Sequence, residues 1–567
     1  MKKNLFLLLA AFSLVTSCGL LGIHMKVQNP SGPGKLEEVS EEMRLLSNEN
    51  TLRAGYDVTF YNLDIAFDAR GKSLSGWVEI RGTALRDMDS LQIDLHSNLK
   101  MDELRFQNRK GTQIDFSRKY RAVVFAVPQR IRTGEKFSLH VKYHGKPVIA
   151  DNPPWKGGTV WKRDNNKNAW LGVACETEGA SVWFPCKDLT NDEPDSAVMR
   201  YTIPDNGLTA VGNGTLEEVK VAGGNRSFTW RVHYPINLYN LTYYVGDFVK
   251  IEDRYVGVEG DELQLSHYVL RENEVKAREH FKKVKENIRV YEEVWGPYAF
   301  YRDGFKLVES PYAGMEHQSA IAYGNKYKLD LYGLEDYIML HESGHEWFGN
   351  AISAADLADV WLQEGITTYG ESVYLERQYG QSIALRHLLM YRMMIKNKRP
   401  LVGPVGLRYF DFKDGDVYVK GAWVLHTLRY QLQNDSLFFN ILRTFYQENS
   451  LKVTDSKQLV NTVNRLSGEN YDWFFEQYLY RNTVPLLEYQ IENNTLYYRW
   501  IDVDTAFDKL RIAVKIEGVD EFYSLIPATA IKKVSLPKGA GTDVVSFGNS
   551  YTLFGYNSSN KLSGLYQ

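Results

Sequence analysis

Hydrophobic and polar residues alternate with a period of two from Gly55 onward: Tyr61, Leu63, Ile65 and Phe67 interleave with Asn62, Asp64 and Ala66. Such alternation turns one face of a strand to a core and the other to solvent. Similar short runs, separated by Gly, Asp and Asn, continue to about Asp253 and predict an N-terminal β-sheet domain over residues 55–255. The period then changes. Phe281, Val284, Ile288, Tyr291 and Trp295 fall three or four apart, lining one face of a helix that Gly296-Pro297 stops. Helical spacing dominates to about Tyr480, with one strand-like interruption at Phe305–Val308, so residues 256–482 read as a mainly helical domain. After Pro485 alternation returns. Leu487, Tyr489 and Ile491 precede Asn493-Asn494, and Leu496, Tyr498 and Trp500 follow, the pattern of a hairpin. Leu510, Ile512, Val514 and Ile516 alternate again, and residues 483–567 read as a small C-terminal β-sandwich. The fold class is multidomain α+β.

The N-terminus follows neither period. Lys2 and Lys3 precede an apolar run from Leu5 to Val15. That run is shorter than the roughly 18 apolar residues a spanning helix needs, so residues 1–17 read as a signal peptide. It ends Val15-Thr16-Ser17-Cys18, which resembles the lipobox of bacterial lipoproteins, cleaved before a cysteine that is then lipidated. The resemblance implies lipidation at Cys18 and an exported protein, lipid-anchored to a bacterial envelope membrane on its periplasmic or surface side. Multiple acyl chains hold such an anchor, at about 0.8 kcal/mol per buried methylene. Residues 18–54, with Pro30-Ser31-Gly32-Pro33-Gly34, read as a lipidated tether.

Composition adds exclusions. Hydrophobic residues make up 44% and charged residues 24% of 567, which excludes a disordered or polytopic membrane chain. A formal net charge of −3 gives no reason to expect a nucleic-acid partner. The three cysteines, Cys18, Cys175 and Cys186, are too few for a four-cysteine zinc module, so histidines and carboxylates must hold any metal. In an exported protein Cys175 and Cys186 could form a disulfide.

Those residues are present. In His341-Glu342-Ser343-Gly344-His345 the two histidines lie one helical turn apart on one face, so both imidazoles reach a single ion. Glu342 is rotated from that face by about 100° and addresses a water on the metal instead of the metal itself. Glu364, in Asp359-Val360-Trp361-Leu362-Gln363-Glu364-Gly365, supplies a third ligand. Two histidines and a glutamate leave a fourth tetrahedral position for water, the arrangement of a catalytic site holding one Zn²⁺ per chain.

The segments His341-Glu342-Ser343-Gly344-His345-Glu346-Trp347-Phe348-Gly349-Asn350 and Trp361-Leu362-Gln363-Glu364-Gly365 resemble the zinc aminopeptidases typified by aminopeptidase N and the leukotriene hydrolase, the gluzincin peptidases. Ala313-Gly314-Met315-Glu316-His317, Tyr418-Val419-Lys420-Gly421 and Cys175-Glu176-Thr177-Glu178 extend the resemblance over residues 55–490. It implies a thermolysin-like catalytic domain and hydrolysis of the N-terminal peptide bond by metal-activated water, with Glu342 as general base. It also implies that Glu316 and Glu176 receive the free α-amino group, that Gly314 and Met315 run beside the substrate as an added strand, and that Tyr418 stabilises the oxyanion. Glu371 matches a carboxylate that orients a ligand histidine. The partners implied are peptides with a free N-terminus and, through the lipid, a membrane; the protein is expected to be a monomer. His317 replaces the family's Asn, and Thr177 its Ala, so hydrogen bonding and the pocket wall beside the amine site differ. Many members end in a long helical domain over the active site; this chain ends in a β-rich segment, and a more open cleft is expected. Two rivals stand beside this reading. A zinc endopeptidase would release products that start inside a chain, and a non-catalytic surface binding protein would keep the scaffold without turnover.

Overall fold

The computed structural model describes residues 39–406, 414–548 and 550–562. The signal peptide, Cys18 and most of the tether lie outside the described residues.

The alternation around Tyr61 becomes the strand Tyr56–Asp68, with Tyr61, Leu63 and Ile65 fully buried. It pairs antiparallel with Ser73–Ala84 and parallel with Ser196–Pro204 in a seven-stranded sheet. A four-stranded sheet, which includes Ala169–Ala174 and Tyr243–Gly246, packs against it. Tyr243 meets Phe67 across that interface at 4.4 Å between ring centroids. Cys175 and Cys186 are both buried and are not joined in a disulfide, a pairing that the sequence left open. Their surroundings differ: Cys175 Sγ points at the Tyr239 carbonyl, 3.7 Å away, whereas the Cys186 backbone pairs with Asp94.

The helix Val284–Trp295 buries the predicted apolar face and ends at Gly296, whose φ of 123° favours glycine. Beside it lies a five-stranded sheet in the order Phe248–Val256, Glu262–Leu270, Leu307–Glu309, Ile321–Tyr323, Gly314–Met315. The domain boundary drawn at residue 255 therefore falls inside a strand of the second unit. Strand periodicity alone does not say which sheet a strand joins. Gly314–Met315 is the edge strand, paired only with Ile321–Tyr323.

Four helices frame the site: α1 (Tyr337–Gly344), α2 (Trp361–Tyr379), α3 (Gln381–Arg392) and α4 (Asp416–Leu432). Helix α2 is buried on all sides from Trp361 to Leu375, as expected for a helix through the middle of a domain. It meets α4 where Gly365 faces Gly421; a Cβ on Gly421 would lie 2.8 Å from the Gly365 Cα.

The C-terminal residues form a four-stranded and a three-stranded sheet. The predicted hairpin joins Leu486–Glu492 to Thr495–Ile501, with Asn493 and Asn494 both at positive φ, 49° and 54°. This unit shares a core with the helices, and Tyr478 Oη donates to the Leu553 carbonyl at 2.6 Å.

The end of the tether is folded. Glu41–Leu45 and Thr51–Ala54 are short helices, and Arg53 is fully buried against Asp94 at 2.7 Å. A polar composition hid this because the segment is held by ion pairing and capping instead of an apolar face. No helix among the described residues is long and apolar enough to cross a membrane.

Candidate active site

Helix α1 starts at Asp336, whose side chain accepts from the Met339 N–H at 3.1 Å. Its spacing brings the His341 and His345 Nε2 atoms within 3.1 Å of each other. Glu364, in the first turn of α2, puts its Oε2 3.5 and 3.3 Å from them. The far nitrogens are committed. His341 Nδ1 donates to Glu371 Oε1 at 2.7 Å and His345 Nδ1 to the Phe348 carbonyl at 2.8 Å. Each Nε2 of a neutral ring then carries a lone pair aimed at the same point as Glu364 Oε2, which is buried and accepts no hydrogen bond. Three converging donor atoms of this kind fit a divalent cation, and two imidazoles with one carboxylate fit zinc. Burial pushes the Glu364 carboxyl up, but the two histidines, which hold protons there when no cation does, bring it down to about 2, so the third donor is ionised.

Glu342 follows His341 on α1 and lies against the edge strand. A Cβ on Gly314 would come within 2.4 Å of Glu342 Oε1, so glycine there lets the carboxylate and the strand lie side by side. Burial pushes the Glu342 carboxyl up, to about 8, against the pull of His341 and His345.

Glu316 and Glu176 come from different units and line the same cavity as the three donors, a space of about 80 Å³. Tyr239 Oη donates to Glu316 Oε1 at 2.9 Å and accepts from Gln363 at 3.2 Å. Asn350 donates to the Glu316 carbonyl at 2.7 Å and so ties the end of the histidine motif to the edge-strand segment. Glu176 Oε1 is buried without a hydrogen bond. Burial and the neighbouring Glu316 raise the Glu176 carboxyl well above the usual range. Met315 and Tyr418 also line the cavity. The Tyr418 ring lies 6.0 Å from that of His341, and its hydroxyl reaches the Glu364 carboxylate.

All the predicted site residues except Cys18 and Glu371 therefore line one cavity, and Glu371 lies behind His341. His317 turns away into hydrogen bonding with Tyr244 Oη at 2.7 Å, and burial lowers its pKa to about 3, so it is neutral. Thr177 donates to Glu178 at 2.7 Å. Sequence reasoning missed Tyr239, His387, Tyr391 and Trp155; the last is 54% exposed at the rim of the cavity. Each comes from a distant segment with no motif of its own.

Residues 280–478 match the model of the peptidase family M1 domain. Over that segment the chain is similar to the family M1 peptidases. Aminopeptidase B of Mus musculus is 24% identical over 323 residues, covering 53% of this chain and 46% of its own length. Aminopeptidase N of Caulobacter vibrioides is 24% identical, covering 54% of this chain and 37% of its own length. The chain spans about half the length of the first of these relatives. The M1 zinc metallopeptidase from Deinococcus radiodurans superposes with a TM-score of 0.63 at 22% identity, covering 76% of this chain and 95% of that one. That likeness shows a shared fold beyond the matched segment.

Proposed function

We propose that the protein is a zinc-dependent aminopeptidase that hydrolyses the N-terminal peptide bond of peptides. One observation carries this reading. Two buried carboxylates, Glu316 and Glu176, face the cavity that holds the three metal donors, and among the described residues no lysine or arginine lines it. A protonated amine is the partner such a pair accepts. It fixes the end of a peptide, and only the first peptide bond then reaches the donors.

His341, His345 and Glu364 would hold the ion. Held there, a zinc ion would supply a Lewis acid for the scissile carbonyl and would lower the pKa of a water towards about 7. Glu342 accepts a proton from the attacking water and returns it to the leaving amine. Tyr418 donates to the oxygen that gains charge, a contact worth about 3–4 kcal/mol in the transition state. The Gly314–Met315 edge pairs with the substrate backbone as an added strand would. The relatives' names, aminopeptidases B and N, support this reading.

The test compares free and N-acetylated peptides across wild type, Glu316→Gln and Glu342→Gln. Acetylation and Glu316→Gln should each lower kcat/KM by at least a hundredfold. Glu342→Gln should bind zinc and turn over at a thousandth of the rate or less. Equal cleavage of acetylated peptides, with products that start inside the chain, would replace this reading with an endopeptidase. No turnover of any peptide by the zinc-loaded protein would leave only a binding role.

We infer further that Cys18 is lipidated and holds the enzyme on an envelope membrane as a monomer. The lipobox-like Val15-Thr16-Ser17-Cys18 supports the anchor. Cys18→Ser should move the protein from the detergent phase to the aqueous phase, where light scattering should report one chain's mass. A protein that stays in the detergent phase would overturn the anchor, and a larger mass the monomer.

A further inference from the structure

Glu371 is fully buried, yet three side chains donate to it. His341 Nδ1 reaches Oε1 at 2.7 Å, while His387 Nε2 at 3.0 Å and Tyr391 Oη at 2.6 Å both reach Oε2. The two outer donors lie one turn apart on α3, which contributes nothing to the cavity. Their division of labour is geometric. By occupying Oε2, His387 and Tyr391 leave Oε1 to His341 and fix the plane of the carboxylate. The His341 ring is already stacked on Tyr337 at 5.4 Å, so the remaining freedom is rotation in its own plane, which the Nδ1 contact sets. That rotation decides where Nε2 points.

His387 is itself held firmly. It is fully buried, its ring lies 4.3 Å from that of Tyr391, and its Nδ1 has no hydrogen-bond partner among the described residues. Its one polar contact is the one to Glu371. An imidazole with a buried, unmatched nitrogen is a costly way to fill a core position, since an unmade hydrogen bond costs about 1–3 kcal/mol. An apolar ring of that size would pack without this cost.

We propose that His387 and Tyr391 are positioning residues for the metal site, aiming His341 through Glu371. The proposal rests on the zinc-site reading above.

The full chain serves for the test. Zinc affinity is measured by competition with a chromophoric chelator, and ligand geometry by the visible spectrum of the cobalt-substituted protein. Tyr391→Phe, which removes a single oxygen, and His387→Phe should each weaken zinc binding about tenfold and shift the cobalt bands. His387→Gln, which keeps a donor, should recover most of the affinity. Variants that bind zinc within twofold of wild type with an unchanged cobalt spectrum would overturn the proposal, even if their thermal midpoints fall. His341→Ala separates the two levels. If it retains wild-type zinc affinity, the metal-site reading fails and the proposal with it. If it loses zinc while Tyr391→Phe and His387→Phe do not, only the proposal fails.

Discussion

Gly365 and Gly421 are the residues through which α2 and α4 touch, and each follows a residue of the site closely: Gly365 comes directly after Glu364, and Gly421 three positions after Tyr418. The missing side chains set the distance between Glu364 and the tyrosine beside it. Gly421→Ala would put a methyl 2.8 Å from the Gly365 Cα, backbone against backbone, with no flexible side chain to yield. Overpacking of that kind costs about 1–3 kcal/mol. We expect a lower urea midpoint and a fall in kcat/KM larger than the stability loss explains, because the helices part at the site itself. Both glycines stand in motifs legible in the sequence, but the contact between them was not. The histidine pair was legible for the opposite reason: both lie on one helix, where spacing alone sets geometry. Tyr239, by contrast, is one of 37 tyrosines, and only the fold brings it to Glu316.

Among the elements, the strand Glu262–Leu270 shows how a buried histidine couples a sheet to pH. His267 Nδ1 accepts from the Leu307 N–H at 3.0 Å and so joins this strand to its neighbour as a neutral ring. Burial lowers its pKa to about 3, against about 6.5 in an unfolded chain. A depressed folded pKa gives stability that is complete above pH 6.5 and is lost as pH falls towards 3. Between those limits the unfolded state binds one more proton, a slope of about 1.4 kcal/mol per pH unit. Denaturation curves at pH 7, 5.5 and 4 should carry that slope on top of those from other buried histidines such as His317, and His267→Gln should flatten them by that amount. The strands and helices of both β units were legible because each buries one face. The assignment of Phe248–Val256 to the wrong domain reflects what periodicity omits, the identity of the neighbouring strand.

At the scale of the whole molecule, the segment before the first long strand is a clamp. Arg53 pairs with Asp94 and donates to the Asp188 carbonyl at 2.7 Å, and Asn48 reaches Asp356, next to α2, at 3.3 Å. Arg53→Met would leave Asp94 buried without its cation, at about 3–5 kcal/mol. The lost stability should appear in the denaturant midpoint, and adding Asp94→Asn should restore part of it. Composition predicted a loose linker here because a buried ion pair and an exposed one look alike in a sequence.

The origin of the site in two units has a further consequence. The carboxylate of Glu176 and the hydroxyl of Tyr239 belong to the β unit, and the metal donors to the helical one. Under the proposed function, the amine end stop straddles two bodies: Glu316 stands on the one that carries the cutting edge, and Glu176 closes it from the other. One extended residue spans about 3.3 Å. Slippage of that size at the seam would draw Glu176 away from Glu316 and loosen the hold on the amine. Constancy of the product therefore depends on the stiffness of the joint as much as on the chemistry at the metal.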